Sequence, residues 1–204
     1  MILAIETSSP HHSICLARVS APDDVIAASS WEGLGRSGRL LLELDALRPH
    51  LPGVRLIAIG TGPGSFSGIR AAISAAKGLR AVLGTPLIGI CSADAVAADL
   101  ARVSRLGVFA DAKRKELYVT EYALGQRLRG PTTIPSEGLE DYLARLTFAV
   151  SAEPIPGIPN RATPSATRLA QLAAASWRAH PGRHEDPEPI YLRGPTPTPL
   201  TRNP

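Results

Sequence analysis

The chain has 204 residues, 44% of them hydrophobic and 20% charged, with a net charge of +4. That is enough apolar material for one large domain or two small lobes, and it excludes a disordered or collagen-like polypeptide. No apolar run approaches the roughly 20 residues of a membrane-spanning helix, and the only two cysteines, Cys15 and Cys91, lie in apolar surroundings that suit reduced thiols in the cytoplasm.

The opening run Ile2 to Glu6 has no basic stretch before it and reads as a strand, not a secretory leader. Residues 13–19 form a second apolar run, and the polar loop Thr7 to His12 makes the two a hairpin. His11 and His12 have no partners at metal-ligand spacing, so a solvated loop is the plainer reading. Val25 to Ser30 reads as a third strand. Arg39 to Leu51 reads as a helix with Leu40, Leu44, Leu47 and Leu51 on one stripe, widened by Leu41 and Leu42.

Leu56 to Ile59 is a buried strand running into Gly60-Thr61-Gly62-Pro63-Gly64-Ser65-Phe66-Ser67-Gly68, after which the spacing turns helical to Leu83. Ile69, Ala72, Ile73, Ala76, Leu79 and Leu83 share an arc that Ala71, Ala75, Gly78 and Val82 extend, leaving only Arg70, Lys77 and Arg80 as a polar wedge. So wide an apolar surface implies burial on two sides, one against the parent sheet and one against a second helix. Further on, Pro86 to Ile90 reads as a strand, and Ser92 as the cap of a helix from Ala93 to Arg102. Arg105 to Ala110 and Leu117 to Tyr122 pair as a hairpin around the charged turn Asp111 to Glu116. Ser136 to Ala144 and Ala166 to Ala179 read as helices with a strand, Leu146 to Ser151, between them. From Pro181 onward seven prolines accumulate, and only Ile190-Tyr191-Leu192 stands out from an extended, partly disordered tail.

Three readings compete for the glycine loop. As a phosphate cradle, Gly62, Gly64, Ser65 and Gly68 would offer backbone N–H groups to an anion or nucleotide. The Walker pattern fails, however, because Ile69-Arg70 follows Gly68 where Lys-Ser or Lys-Thr is required. As a nucleophile elbow, Gly64-Ser65-Phe66-Ser67-Gly68 fits G-x-S-x-G, giving a serine hydrolase with Ser67 or Ser65 as nucleophile and His180 or His184 as base. As a structural element, the loop turns a strand into a tightly packed helix. A small kinase is a further possibility that the missing catalytic signatures weigh against.

The hairpin near residue 1 and its counterpart near residue 105 each lead into further strands and helices. This outlines an α/β, actin-like (ribonuclease H-like) fold of two lobes, each with a hairpin-bearing mixed sheet flanked by helices, although a Rossmann-like sheet would also fit the alternation. The expected division is residues 1–102, carrying the glycine loop and interface helices, and 103–204, a smaller lobe with the proline-rich tail.

Several segments together resemble the bacterial TsaB (YeaZ) family of tRNA threonylcarbamoyladenosine biosynthesis proteins. They are Ile2 to Ser8, Gly62 to Arg70, Ala76 to Leu79, Pro86 to Ser92, Asp111-Ala112-Lys113 with Glu116-Leu117-Tyr118, and Pro189 to Arg193. Arg36-Ser37-Gly38 departs from the family, whose members tend to show His-Ser-Glu there. The resemblance implies a non-catalytic, dimerising subunit without a cofactor of its own. It would activate the catalytic paralogue TsaD, with the ATPase TsaE completing the complex, and ATP and a metal residing on those partners. tRNA would be reached indirectly, through the complex, and the isolated chain would form a homodimer. The partner surface is expected on the two wide-faced helices, centred on Leu41, Ala71, Ala75, Gly78 and Val82 and rimmed by Arg70 and Lys77.

Overall fold

A computed structural model describes residues 1–33, 37–182 and 186–192. The first sheet has the order β3-β2-β1-β4-β5. Its strands are β1 (Ile2–Glu6), β2 (His11–Ala17), β3 (Val25–Glu32), β4 (Leu56–Gly60) and β5 (Leu87–Ile90). β1, β2 and β3 are antiparallel neighbours, whereas β4 and β5 run parallel to β1. The second sheet is built from β6 (Leu106–Lys113), β7 (Glu116–Ala123), β8 (Gln126–Pro135), β9 (Phe148–Ser151) and β10 (Asn160–Arg161). Read from its far edge it runs β8-β7-β6-β9-β10, again three antiparallel strands followed by two parallel ones. The same order appears twice, so the two halves expected from the sequence are two copies of one topology.

Every residue of β1 and β4 is buried, because the first sheet is covered on both faces. On one face Leu3, Ile5, Ile14, Leu16, Ile57 and Ile59 pack against α1 (Ser37–Ala46) and α2 (Phe66–Leu83). On the other, Ile2, Ala4, Cys15, Ala17, Leu56 and Ala58 meet α5 (Ala166–Ala179). Alanines at 166, 170, 173 and 174 let α5 lie close to the strands. The chain therefore leaves the first sheet near residue 100 and returns to it with α5. α3 (Ser92–Asp99) is shared, with Ala95 against the first sheet and Val96 and Ala97 against the second. Asp94 fastens it there, accepting from the Tyr122 hydroxyl at 2.7 Å and from the Arg127 guanidinium. α4 (Leu139–Leu143) covers the outer face of the second sheet.

Several boundaries differ from the sequence expectation. α1 ends at Ala46, and a 3-10 turn, Arg48–Gly53, carries Pro49 and Pro52, which an α-helix interior does not accommodate. α2 starts at Phe66 and not after Gly68. Ser92 does not cap α3; its hydroxyl accepts from the Gly62 N–H at 3.1 Å. β8 was not foreseen at all.

Candidate functional site

The glycine loop is bolted to the turn after β1. The Ser65 N–H donates to Ser8 O at 2.7 Å, and the Thr7 hydroxyl donates to Gly68 O at 2.8 Å. A Cβ at Gly64 would stand 2.1 Å from Ser8 O, and one at Gly68 would stand 2.1 Å from Thr7 O. Both glycines thus admit the chain's own backbone where a phosphate cradle would admit a ligand. Ser65 is the N-cap of α2, its Oγ accepting from the Gly68 N–H at 3.3 Å. Ser67 is an exposed first-turn residue.

Between the lobes, Ser8, Ser65, Phe66, Ser67, Asp111, Lys113, Tyr118 and Glu153 line a cleft of about 630 Å³. No histidine is among its described lining residues. His180 lies at the end of α5, and His184 lies outside the described residues, as do Arg36, Arg193 and the rest of the tail. His11 pairs with Glu32, and His12 Nε2 lies 2.9 Å from Gly33 O.

Beneath the loop, at the end of β1, Glu6 is fully buried. Its Oε1 accepts from the Ser8 N–H at 2.6 Å and its Oε2 has no partner among the described residues. Burial holds this carboxyl above its usual pKa, opposed in part by hydrogen bonds from Ser8 and by the adjacent Ser92 hydroxyl. The same cause raises the Cys91 thiol to about 11.

The outward side of α1 and α2 divides the expected partner residues. Ala71 and Ala75 are half-buried against the core cluster shared with α1. Gly78 faces open space, and Val82 is 84% exposed. On α1, Leu40 and Leu44 point inward while Leu41 and Leu42 stand 61% and 65% exposed. The polar wedge is occupied from within the chain. Asp186 sits 3.0 Å from Lys77 and 3.6 Å from Arg80, while Arg70 stacks over the Phe66 ring, which in turn meets Tyr191. The Ile190 N–H donates to Thr61 O at 3.0 Å, so the contacts of residues 186–192 reach from the start of α2 to Arg80 and strap the helix lengthwise. Sequence reasoning missed this strap. Its only signal was the Ile190-Tyr191-Leu192 run inside the proline-rich tail.

A lobe of three antiparallel and two parallel strands, made twice and joined by a shared helix, defines the actin-like class of folds. Comparison with known proteins narrows the class. The family model for TsaD, tRNA N6-adenosine threonylcarbamoyltransferase, matches residues 46–139. Uncharacterized proteins of Mycobacterium tuberculosis and Mycobacterium bovis are 31% identical over 152 residues, covering 71% of this chain and 66% of theirs. A Mycobacterium leprae protein is 33% identical over 150 residues, 40% of its length. The chain thus spans about two thirds, or less, of the curated relatives it matches. Among solved structures, a Pseudomonas aeruginosa protein described as similar to peptidase YEAZ superposes with a TM-score of 0.72 at 25% identity, covering 94% of this chain and 99% of that one. YeaZ from the same organism gives 0.73 at 23% identity with the same coverage. The likeness is to the TsaB (YeaZ) proteins, whose fold this chain shares over 94% of its length.

Proposed function

We propose that the protein is a dimerising, non-catalytic subunit of a tRNA threonylcarbamoyladenosine-forming complex, and that it binds and activates a TsaD-like catalytic paralogue through the outward side of α1 and α2. The observation that carries this reading is the exposure of Leu41, Leu42 and Val82 beside the open Gly78 on two adjoining helices. Exposed apolar patches of this kind mark association surfaces. With no side chain at Gly78, a partner helix can approach closely, and Lys77 and Arg70 give the patch a polar rim. Ala71 and Ala75 support it from the α1 side. A homodimer in isolation would use the same face, so self-association and paralogue binding would compete. In this reading ATP and the metal belong to the catalytic paralogue and a TsaE-like ATPase, and the assembly is cytoplasmic. No helix among the described residues is long and apolar enough to cross a membrane.

Val82→Arg tests the assignment, because Val82 contributes little to the core. The expected result is loss of the homodimer by light scattering and of paralogue binding by calorimetry, at an unchanged melting temperature. Unchanged affinity in a well-folded variant would place the interface elsewhere. The serine hydrolase reading predicts labelling by a fluorophosphonate that is lost in Ser67→Ala; the capping role of Ser65, and the lack of a histidine beside the exposed Ser67 among the described lining residues of the cleft, speak for no labelling.

A further inference from the structure

Between Phe66 and Leu83, α2 carries Arg70, Lys77 and Arg80 and not one acidic residue. Arg70 and Lys77 stand seven residues apart, on one ridge of the helix. Each is within a turn of Ser74, and Lys77 is within a turn of Ala81, so this ridge borders the exposed strip of Ser74, Gly78, Ala81 and Val82. The charge that α2 lacks comes from the strap. Asp186 lies 3.0 Å from Lys77 and 3.6 Å from Arg80, and Arg70 is taken up by the Phe66 ring. The polar rim of the outward face is thus engaged from within the chain before a partner arrives.

The strap is not held evenly. Pro187 is buried, and Ile190 packs against the core cluster of Cys91 and Ala93 while its N–H donates to Thr61. The Asp186 carboxylate, by contrast, is 63% exposed and is held among the described residues by its two ion pairs alone. Exposed pairs of this kind contribute little and weaken with salt. Asp186 can therefore swing away while the rest of the strap stays anchored. An incoming carboxylate would replace it on Lys77 and Arg80 at small cost, whereas an incoming cation would meet like charge. Even with Glu188 counted, the strap brings two carboxylates to the three cations of α2, and the balance still favours an acid.

We propose that Lys77 and Arg80 are a carboxylate-binding part of the partner face, filled by Asp186 in the free chain and by an acidic side chain of the catalytic paralogue in the complex. The inference rests on the subunit reading above and adds to it the chemistry of the partner residue and a self-contact that competes with it. Asp186→Asn removes the competing charge while keeping the side-chain shape. Calorimetry of the full chain with the purified paralogue should show an affinity about threefold to fivefold higher than the parent's. That affinity should also fall more steeply with salt, because the parent only exchanges one ion pair for another. In a Lys77→Gln, Arg80→Gln background the same substitution should change nothing. Asp141→Asn, an equal change of charge on the exposed side of α4, should leave the affinity as it was. Unchanged affinity in a folded Asp186→Asn protein overturns the proposal by placing the two cations outside the contact. Weaker binding overturns it by making the strap itself part of the contact. A gain that persists without Lys77 and Arg80, or an equal gain in the Asp141 control, overturns it as well. Val82→Arg keeps the two readings apart. If that variant binds the paralogue as the parent does, the face is misassigned; if it loses binding while Asp186→Asn has no effect, this inference alone fails.

Discussion

Glu6 is the residue at which this fold departs furthest from ordinary burial. Burial of a carboxyl favours its protonated form, and desolvation raises the Glu6 pKa above the usual 4.5 despite the hydrogen bonds from Ser8 and Ser92 that oppose it. Below that usual value both folded and unfolded chains hold the proton, and the native carboxyl carries no ionisation penalty. As pH rises, the unfolded chain ionises first, so stability is lost progressively through the higher, folded-state pKa. Glu6→Gln cannot ionise. Its stability relative to the parent, from urea unfolding at several pH values, should therefore increase with pH above about 4.5. A gap independent of pH would show that the Glu6 pKa is the same in the folded and unfolded chain, and a gap that falls as pH rises would show that Glu6 is ionised and paired in the folded state. At the start of α2 the two serines separate cleanly. Ser65→Ala removes the cap and should cost about 0.5–2 kcal/mol, whereas Ser67→Ala on the exposed first turn should fall within about 0.5 kcal/mol of the parent. The sequence marked the loop as special without saying which serine caps, because both stand before an apolar-periodic run.

At the scale of elements, the wide apolar surface of α2 was legible from spacing alone, and its inner half lies where that spacing put it. How far the outer half is covered could not be read locally, since Ala71 and Ala75 depend on where α1 lands and Lys77 and Arg80 on the strap at Asp186. β8 escaped for a physical reason. It is an edge strand carrying Gly130 and Pro131, with arginines at 127 and 129, so the apolar alternation of a covered strand is missing. The α1 boundary failed because a leucine stripe continues through Leu51 although Pro49 and Pro52 end the α-helical geometry. The glycines of the loop were visible, but not what approaches them. Gly68→Ala tests that packing directly: with Thr7 O 2.1 Å from the new Cβ, it should destabilise by more than about 2 kcal/mol. Near-neutral stability would mean the loop and the turn after β1 are not fastened together.

Over the whole molecule, the duplicated topology was foreseeable because each half announces itself with a hairpin. The closure of the structure by α5 was not, because its apolar stripe says that it is buried and not which sheet buries it. The result is two lobes tied by α3 and Asp94, with one face of the first lobe left apolar and uncovered at Leu41, Leu42 and Val82. The central claim, that the chain acts as a non-catalytic subunit through this face, is tested most directly by reconstituting tRNA modification from purified components. The chain alone should leave tRNA unmodified, the chain with its catalytic paralogue and ATPase should modify it, and Val82→Arg in that mixture should reduce the rate at least tenfold. Modification by this chain without its partners, or an undiminished rate when it is left out, would contradict the account.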